Sequence, residues 1–217
     1  DAYSKATVSQ TIYYPHELQY VKGAINHVIF RNAFSQSTDL TRPLQVYIGE
    51  TDQADLKLGW VPVAQLNKVY DDTITMSRGS NDIDIVLSQP YHYQGKNLVV
   101  TVYGARIDRT ARYADHFLVE RTPAHANRSR LLSGSSNINL TALPQSSDVI
   151  SEVPYTRFVM TTTLTGSLHG KVTDTQGHAI AGATVTLPHY KLTAITAEDG
   201  SYAFDFVPSG AQNITVS

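Results

Sequence analysis

Cysteine is absent from the 217 residues, which removes disulfides, zinc–thiolate sites and cysteine nucleophiles together and leaves the redox compartment open. Long apolar runs are missing too. No stretch approaches the roughly 20 residues of a membrane-crossing helix, and no charged start leads into an apolar segment of the secretory kind. Excess charge of either sign is small, with 17 Lys and Arg against 19 Asp and Glu, so the net charge of −2 gives no field for a polyanion and sets nucleic acid aside. Charged residues make up only 17% of the chain, while hydrophobic residues at 41% suffice to bury a core and argue against general disorder. The chain begins at Asp1 rather than Met, as a mature or excised product does, which is compatible with a leader removed upstream.

What is present is strand periodicity. Leu44, Val46 and Ile48 share one side of LQVYIGE, as do Ile83, Ile85 and Leu87 in DIDIVLS and Leu98, Val100 and Val102 in NLVVTVY, with Gln45, Asp84 and Thr101 turned the other way. Further strands are expected at Thr7 to Tyr14, Ala24 to Phe30, Phe117 to Arg121 and Arg157 to Thr163, where β-branched and aromatic residues concentrate. Arg78-Gly79-Ser80-Asn81 and Gln94-Gly95-Lys96-Asn97 are turns, Val63 to Tyr70 is the one candidate for a helical turn or two, and Ser133 to Val153 reads as a long surface loop. Short strands without long amphipathic helices between them exclude parallel βαβ units and predict an antiparallel, jelly-roll-like sandwich over 1–163.

From 164 onward the punctuation tightens, and a second, smaller domain over 164–217 is expected. Asp174 to Gly177 and Glu198 to Gly200 form tight turns, and Tyr202, Phe204 and Phe206 alternate with Ala203 and Asp205 to fill one core face. The landmarks here are Gly170-Lys171-Val172-Thr173-Asp174, Gly177, Ile180-Ala181-Gly182-Ala183-Thr184-Val185, Thr196, Asp199-Gly200, Tyr202, Phe204 and Val207-Pro208-Ser209-Gly210. In this spacing the segment closely resembles the carboxypeptidase regulatory-like, or transthyretin-like, family. The resemblance implies an immunoglobulin-like sandwich of seven strands with no active site, serving as a spacer or contact module in secreted and surface proteins. The sequence stops at Val216-Ser217, before the family's usual K-x-G-Y segment and closing strand. Thr11 to Glu17, Val46 to Thr51, Trp60 to Pro62 and Tyr93 to Val100 give the first domain a looser resemblance to β-sandwich domains of Bacteroidetes-type surface and adhesin proteins.

Motifs for chemistry are few. Neither G-x-S-x-G nor H-E-x-x-H occurs, and Gly166 to Val172 falls one residue short of a phosphate loop, with Val172 where a hydroxyl is needed. The eight histidines are scattered rather than paired at ligand spacing. Asp82 and Asp84 share a strand face and, with Asp71 or Asp72, are weighed as a calcium cluster against the reading as solvent-facing carboxylates. The expectation is therefore no enzyme, no catalytic or metal residues and no cofactor.

Binding candidates remain. Trp60, Tyr91, Tyr93 and Tyr103 offer faces on which a sugar can stack, against the alternative that they fill the core. Arg106, Arg109, Arg112, Arg121, Arg128 and Arg130 outnumber Asp108, Asp115 and Glu120 in one stretch, where an acidic glycan could dock or a solvated loop could lie. Asn127, Asn139 and Asn213 open N-glycosylation sequons, and Asp72-Thr73-Ile74 resembles a Bacteroidetes O-glycosylation acceptor at Thr73. An incomplete last domain leaves an open edge, and Asp1 to Tyr14, with Ala6, Val8, Gln10 and Ile12 on one face, is a candidate donor strand for a neighbouring copy; head-to-tail donation of this kind builds a filament. A cut through a longer chain would give the same ending.

Together these features predict a secreted or cell-surface structural and adhesive protein, with copies of itself and glycans as candidate partners. A carbohydrate-binding module and the accessory domains of a larger secreted enzyme are the alternatives.

Overall fold

A computed structural model describes residues 4–19, 22–35, 39–108, 115–123, 126–145, 147–162, 165–188, 192–208 and 211–217. Its internal contacts divide the chain into Asp1–Thr162 and Thr163–Ser217. The chain is all-β, every strand pairing is antiparallel, and no helix among the described residues is long and apolar enough to cross a membrane.

The first unit contains β1 (Ala6–Tyr13), β2 (Gly23–Phe34), β3 (Leu40–Thr51), β4 (Asn67–Met76), β5 (Gly79–Tyr93), β6 (Asn97–Gly104), β7 (His116–Phe117), β8 (Val119–Arg121), β9 (Ser129–Gly134), β10 (Asp148–Ile150), β11 (Glu152–Pro154) and β12 (Thr156–Thr162). One sheet has the order β10-β9-β1-β6-β3-β4. The other runs β12-β2-β5, with β7 also on β2, and β8 and β11 form a separate ribbon. The period-two residues meet between the two large sheets: Leu44, Val46, Ile48, Leu98 and Val100 pack in one core with Ile25, Val28, Phe30, Ile83, Ile85 and Leu87. Pro90 lies in β5, where it has no N–H to give a ladder, and between Ile25 and His27 the register of β2 on β5 shifts.

Two local expectations are corrected. Val63 to Tyr70 is helical only as a 3-10 turn at Val63–Gln65, after which Asn67 starts β4. The stretch from Ser133 to Val153 is not one loop, because β10 extends the large sheet beside β9 and β11 pairs with β8.

The second unit contains β13 (Thr165–Lys171), β14 (Thr184–Leu187), β15 (Leu192–Ile195), β16 (Ser201–Pro208) and β17 (Thr215–Val216). They form a β13-β16 pair and a β15-β14-β17 sheet around a small core of Val185, Leu187, Phe204 and Val207. Tyr202 packs on that core with its ring 5.9 Å from that of Phe204, while the Phe206 side chain, Ser209 and Gly210 lie outside the described residues. Thr196 is the buried pin. Its hydroxyl donates to Ile180 O (2.7 Å) and accepts from Ala183 N–H (2.9 Å), fixing the small-residue run.

Candidate functional site

Strand β1 sets the chemistry of the first unit because it sends side chains to both faces of an interior strand. It pairs with β6 on one side and β9 on the other, and Ala6, Val8, Gln10 and Ile12 are all fully buried on its outward face. The strand expected as a donor is thus an interior strand of this chain's own sheet. Freeing β1 for a neighbour would break two ladders and uncover those four side chains, a cost that an edge strand would not carry. Asp1, Ala2 and Tyr3 lie outside the described residues.

What covers that outward face was not evident from the sequence. The segment containing Leu56, Trp60 and Val61 packs on Ile12, Val99, Val8 and Tyr103, and Ile138, Leu140 and Leu143 close over the same side. Gln10 joins the layers: its amide N–H donates to Val61 O (2.9 Å) and Thr101 Oγ1 (2.8 Å), and its carbonyl accepts from Val61 N–H (2.7 Å). Thr101, on the side of β6 turned away from the main core, is therefore fully buried as well.

The two arginines of β9 and its approach are buried as well, which corrects the basic-surface reading. Arg130 donates to Leu56 O (2.6 Å), Lys57 O (3.1 Å), Gln145 O (3.0 Å) and Ser147 Oγ (2.7 Å), tying both covering segments to the sheet. Arg128 donates to Ile12 O, pairs with Glu17 and lies 4.2 Å from the centre of the Tyr14 ring. Arg109 and Arg112 fall outside the described residues. Arg106 binds Asp108 and Arg121 lies near Glu152, so the described arginines do not converge.

The aromatic candidates are likewise not a sugar platform. Trp60, Tyr93 and Tyr103 are buried, and Trp60 donates its indole N–H to Pro144 O (3.1 Å). Tyr91 is half-buried and gives its hydroxyl to Glu50 (3.3 Å), whose carboxylate also accepts Gln94 N–H and Lys96 N–H at 2.8 Å each and so holds the Gln94-to-Asn97 turn. Burial and then the Glu50 charge push the Tyr93 phenol up to about 12 and raise that of Tyr91 further, leaving both as neutral hydroxyls.

The carboxylate candidates separate between the sheets. Asp82 sits near Arg31 and Arg157, Asp84 meets His27 at 2.9 Å, and Asp71 pairs with Lys68 on the other sheet. No three metal-type ligands cluster among the described residues. The glycosylation candidates differ in access: Thr73, Asn139 and Asn213 are exposed, whereas Asn127 is half-buried with φ of 50°. Asn139 accepts both Thr141 N–H (3.0 Å) and the Thr141 hydroxyl (2.9 Å), a local turn within its own sequon.

The inward face of β1 meets open space. Thr7, Ser9, Thr11 and Tyr13 line a cavity of about 620 Å³ between the large sheets, shared with Phe30, Leu44, Ile74, Val100, Val102 and Phe117. Arg42 passes along one end of it and donates to Ala105 O (3.2 Å), Ser4 O (3.2 Å), Lys5 O (2.7 Å) and Gly104 O (3.3 Å). A Cβ at residue 104 would stand 2.5 Å from Arg42 Nε, so the guanidinium's path requires glycine there.

These features define an all-β protein whose first unit is a sandwich of two layered sheets and whose second is a small immunoglobulin-like sandwich. Residues 167–217 match the family model of the carboxypeptidase regulatory-like domain, a non-catalytic module. No curated protein and no solved structure matches the chain.

Proposed function

We infer that the chain is a non-catalytic structural and adhesive part of a secreted or cell-surface protein. The observation that carries this reading is the match of 167–217 to the carboxypeptidase regulatory-like domain, a non-catalytic module whose small core is flanked by hydrogen-bonded turns. The first unit supports it from a different direction. Gln10, Arg42, Arg128 and Arg130, buried polar groups of that unit, spend their hydrogen bonds on backbone groups and neighbouring side chains, the pattern of a rigid scaffold. The looser resemblance of the first domain's motifs to Bacteroidetes-type surface domains, noted from the sequence, is in keeping with this reading. Antibody labelling of intact source cells, with fractionation of cells and medium, tests the location. Labelling before lysis or recovery from the medium is expected, and signal confined to lysed cells would sink the reading.

A further inference from the structure

The cavity between the large sheets falls within the roughly 300–1,000 Å³ that small-molecule sites occupy. Its floor is set by the β1–β6 register, which places Ser9 opposite Val102, Thr11 opposite Val100 and Thr7 opposite Gly104. A row of hydroxyls thus runs beside a row of valines. The opposing sheet contributes Phe30 and Phe117, so an apolar body is enclosed on two sides. Thr11 shares its hydroxyl with Ser129 (3.0 Å), but the Thr7 and Ser9 hydroxyls have no protein hydrogen bond among the described residues. A polar atom of a ligand can take that place.

Charge narrows the class. Arg42 and Arg130 reach the lining but their guanidinium groups donate to backbone carbonyls. Asp115 accepts Ser35 N–H at 2.8 Å, and Glu152 lies 3.6 Å from Arg121. Among the described residues of the lining, Arg42, Arg130, Asp115, His116 and Glu152 all have partners, so a buried ionic ligand would find no counter-charge set aside for it and its desolvation would go uncompensated.

We propose that this cavity binds an uncharged amphiphile, its aliphatic or aryl body between Val100, Val102, Phe30 and Phe117 and its hydroxyl on Thr7 and Ser9. The site is distinct from the structural role above and stands or falls without it. The test titrates the chain with the neutral fluorophore N-phenyl-1-naphthylamine and competes it with 1-decanol and with decanoate above the carboxylate range. Saturable one-to-one binding is expected, with decanol displacing the probe and decanoate weaker by about tenfold or more, because its charge must be buried unpaired. Val102→Trp places a large ring among the apolar contacts of the cavity and Ser9→Leu removes a hydroxyl and narrows the floor; each is expected to weaken the probe by about tenfold while the circular dichroism stays that of the parent. If Val102→Trp does not fold, Ser9→Leu decides. Absence of saturable binding, equal competition by decanoate, or parent-like binding in the folded variants would overturn the proposal.

Discussion

The two units of this chain place their polar hydrogen bonds in opposite ways. The first uses long-range hydrogen bonds: Gln10 reaches Val61 and Thr101, and Arg130 reaches segments 74 and 15 residues away. The second uses turns, where Asp174 accepts the N–H groups of Gln176 and His178 and Asp199 accepts that of Ser201. Their cores differ in the same sense. The first has a large core between two sheets and a covered outer sheet face, while the second rests on Val185, Leu187, Phe204 and Val207. A unit with a large core tolerates irregular covering segments that hydrogen bonds pull in; one with a small core depends on each turn being right.

That difference predicts where each unit breaks. Phe204→Ala should cost the second unit about 3–5 kcal/mol, comparable to the whole stability of a small domain. Pulse proteolysis read by mass spectrometry is expected to find the 165–217 region cut while β1 to β12 stay protected; simultaneous loss of both regions would contradict independent cores. Arg130→Met tests the opposite side. It leaves the carbonyls of Lys57 and Gln145 without their donor and Leu56 O with only the Gly59 N–H, at about 1–3 kcal/mol for each unpaired carbonyl that water does not reach. Hydrogen exchange should speed up around 54–61 and 138–145 and leave the second unit unchanged.

The same contrast explains what could be read from the sequence. The second unit was legible because its determinants are local: Gly177 and Gly200 sit at φ of 88° and 77° in the turns that D-x-x-G and D-G announce, and Phe204 falls on the expected core face. The period-two runs in the first unit also identified the sandwich core. Periodicity says which residues share a face, not what lies on it. Gln10 read as available for donation, Thr101 as turned away from the core, Trp60 and Tyr103 as either sugar platforms or core residues, and Arg128 and Arg130 as surface charge, all because the covering segments carry no strand or helix pattern. The alternation Arg128-Ser129-Arg130 in a strand setting was a signal for a buried polar face, visible only once β9 is known to lie beside β1. The cavity had no sequence signature, since its hydroxyl row and valine row belong to strands far apart in the chain.

Turn dependence in the second unit can be isolated at Gly200. With φ of 77°, a Cβ there would lie 2.6 Å from Val172 O, a backbone atom that cannot step aside cheaply. Gly200→Ala should therefore cost about 1–3 kcal/mol through backbone strain alone. Gly79 provides the matched test in the first unit, with a positive φ of 103° but no backbone atom within 4 Å of the added Cβ. Thermal melts of the two variants should fall further for Gly200→Ala, and an equal fall would remove the distinction between a turn that supports a small core and one that merely reverses the chain.

The smallest effect is a pH dependence. The Ser201 hydroxyl and N–H, followed by the Lys171 ammonium 3.0 Å away, hold the Asp199 carboxyl well below the usual carboxylate range. The His178 N–H, then its ring, hold Asp174 down likewise. Carboxyl groups depressed in the folded state stabilise it above their unfolded pKa near ~3.9, and that stabilisation is lost as pH falls through the folded values. Acidification from neutral pH to below the ordinary carboxylate range should thus lower the melting temperature of the second unit. Asp199→Asn keeps an acceptor for Ser201 but cannot titrate, so its melting temperature starts lower at neutral pH and falls less on acidification. Calorimetric scans across that range decide it: parallel curves for parent and variant would show that the Asp199 turn does not couple protonation to the stability of the small core.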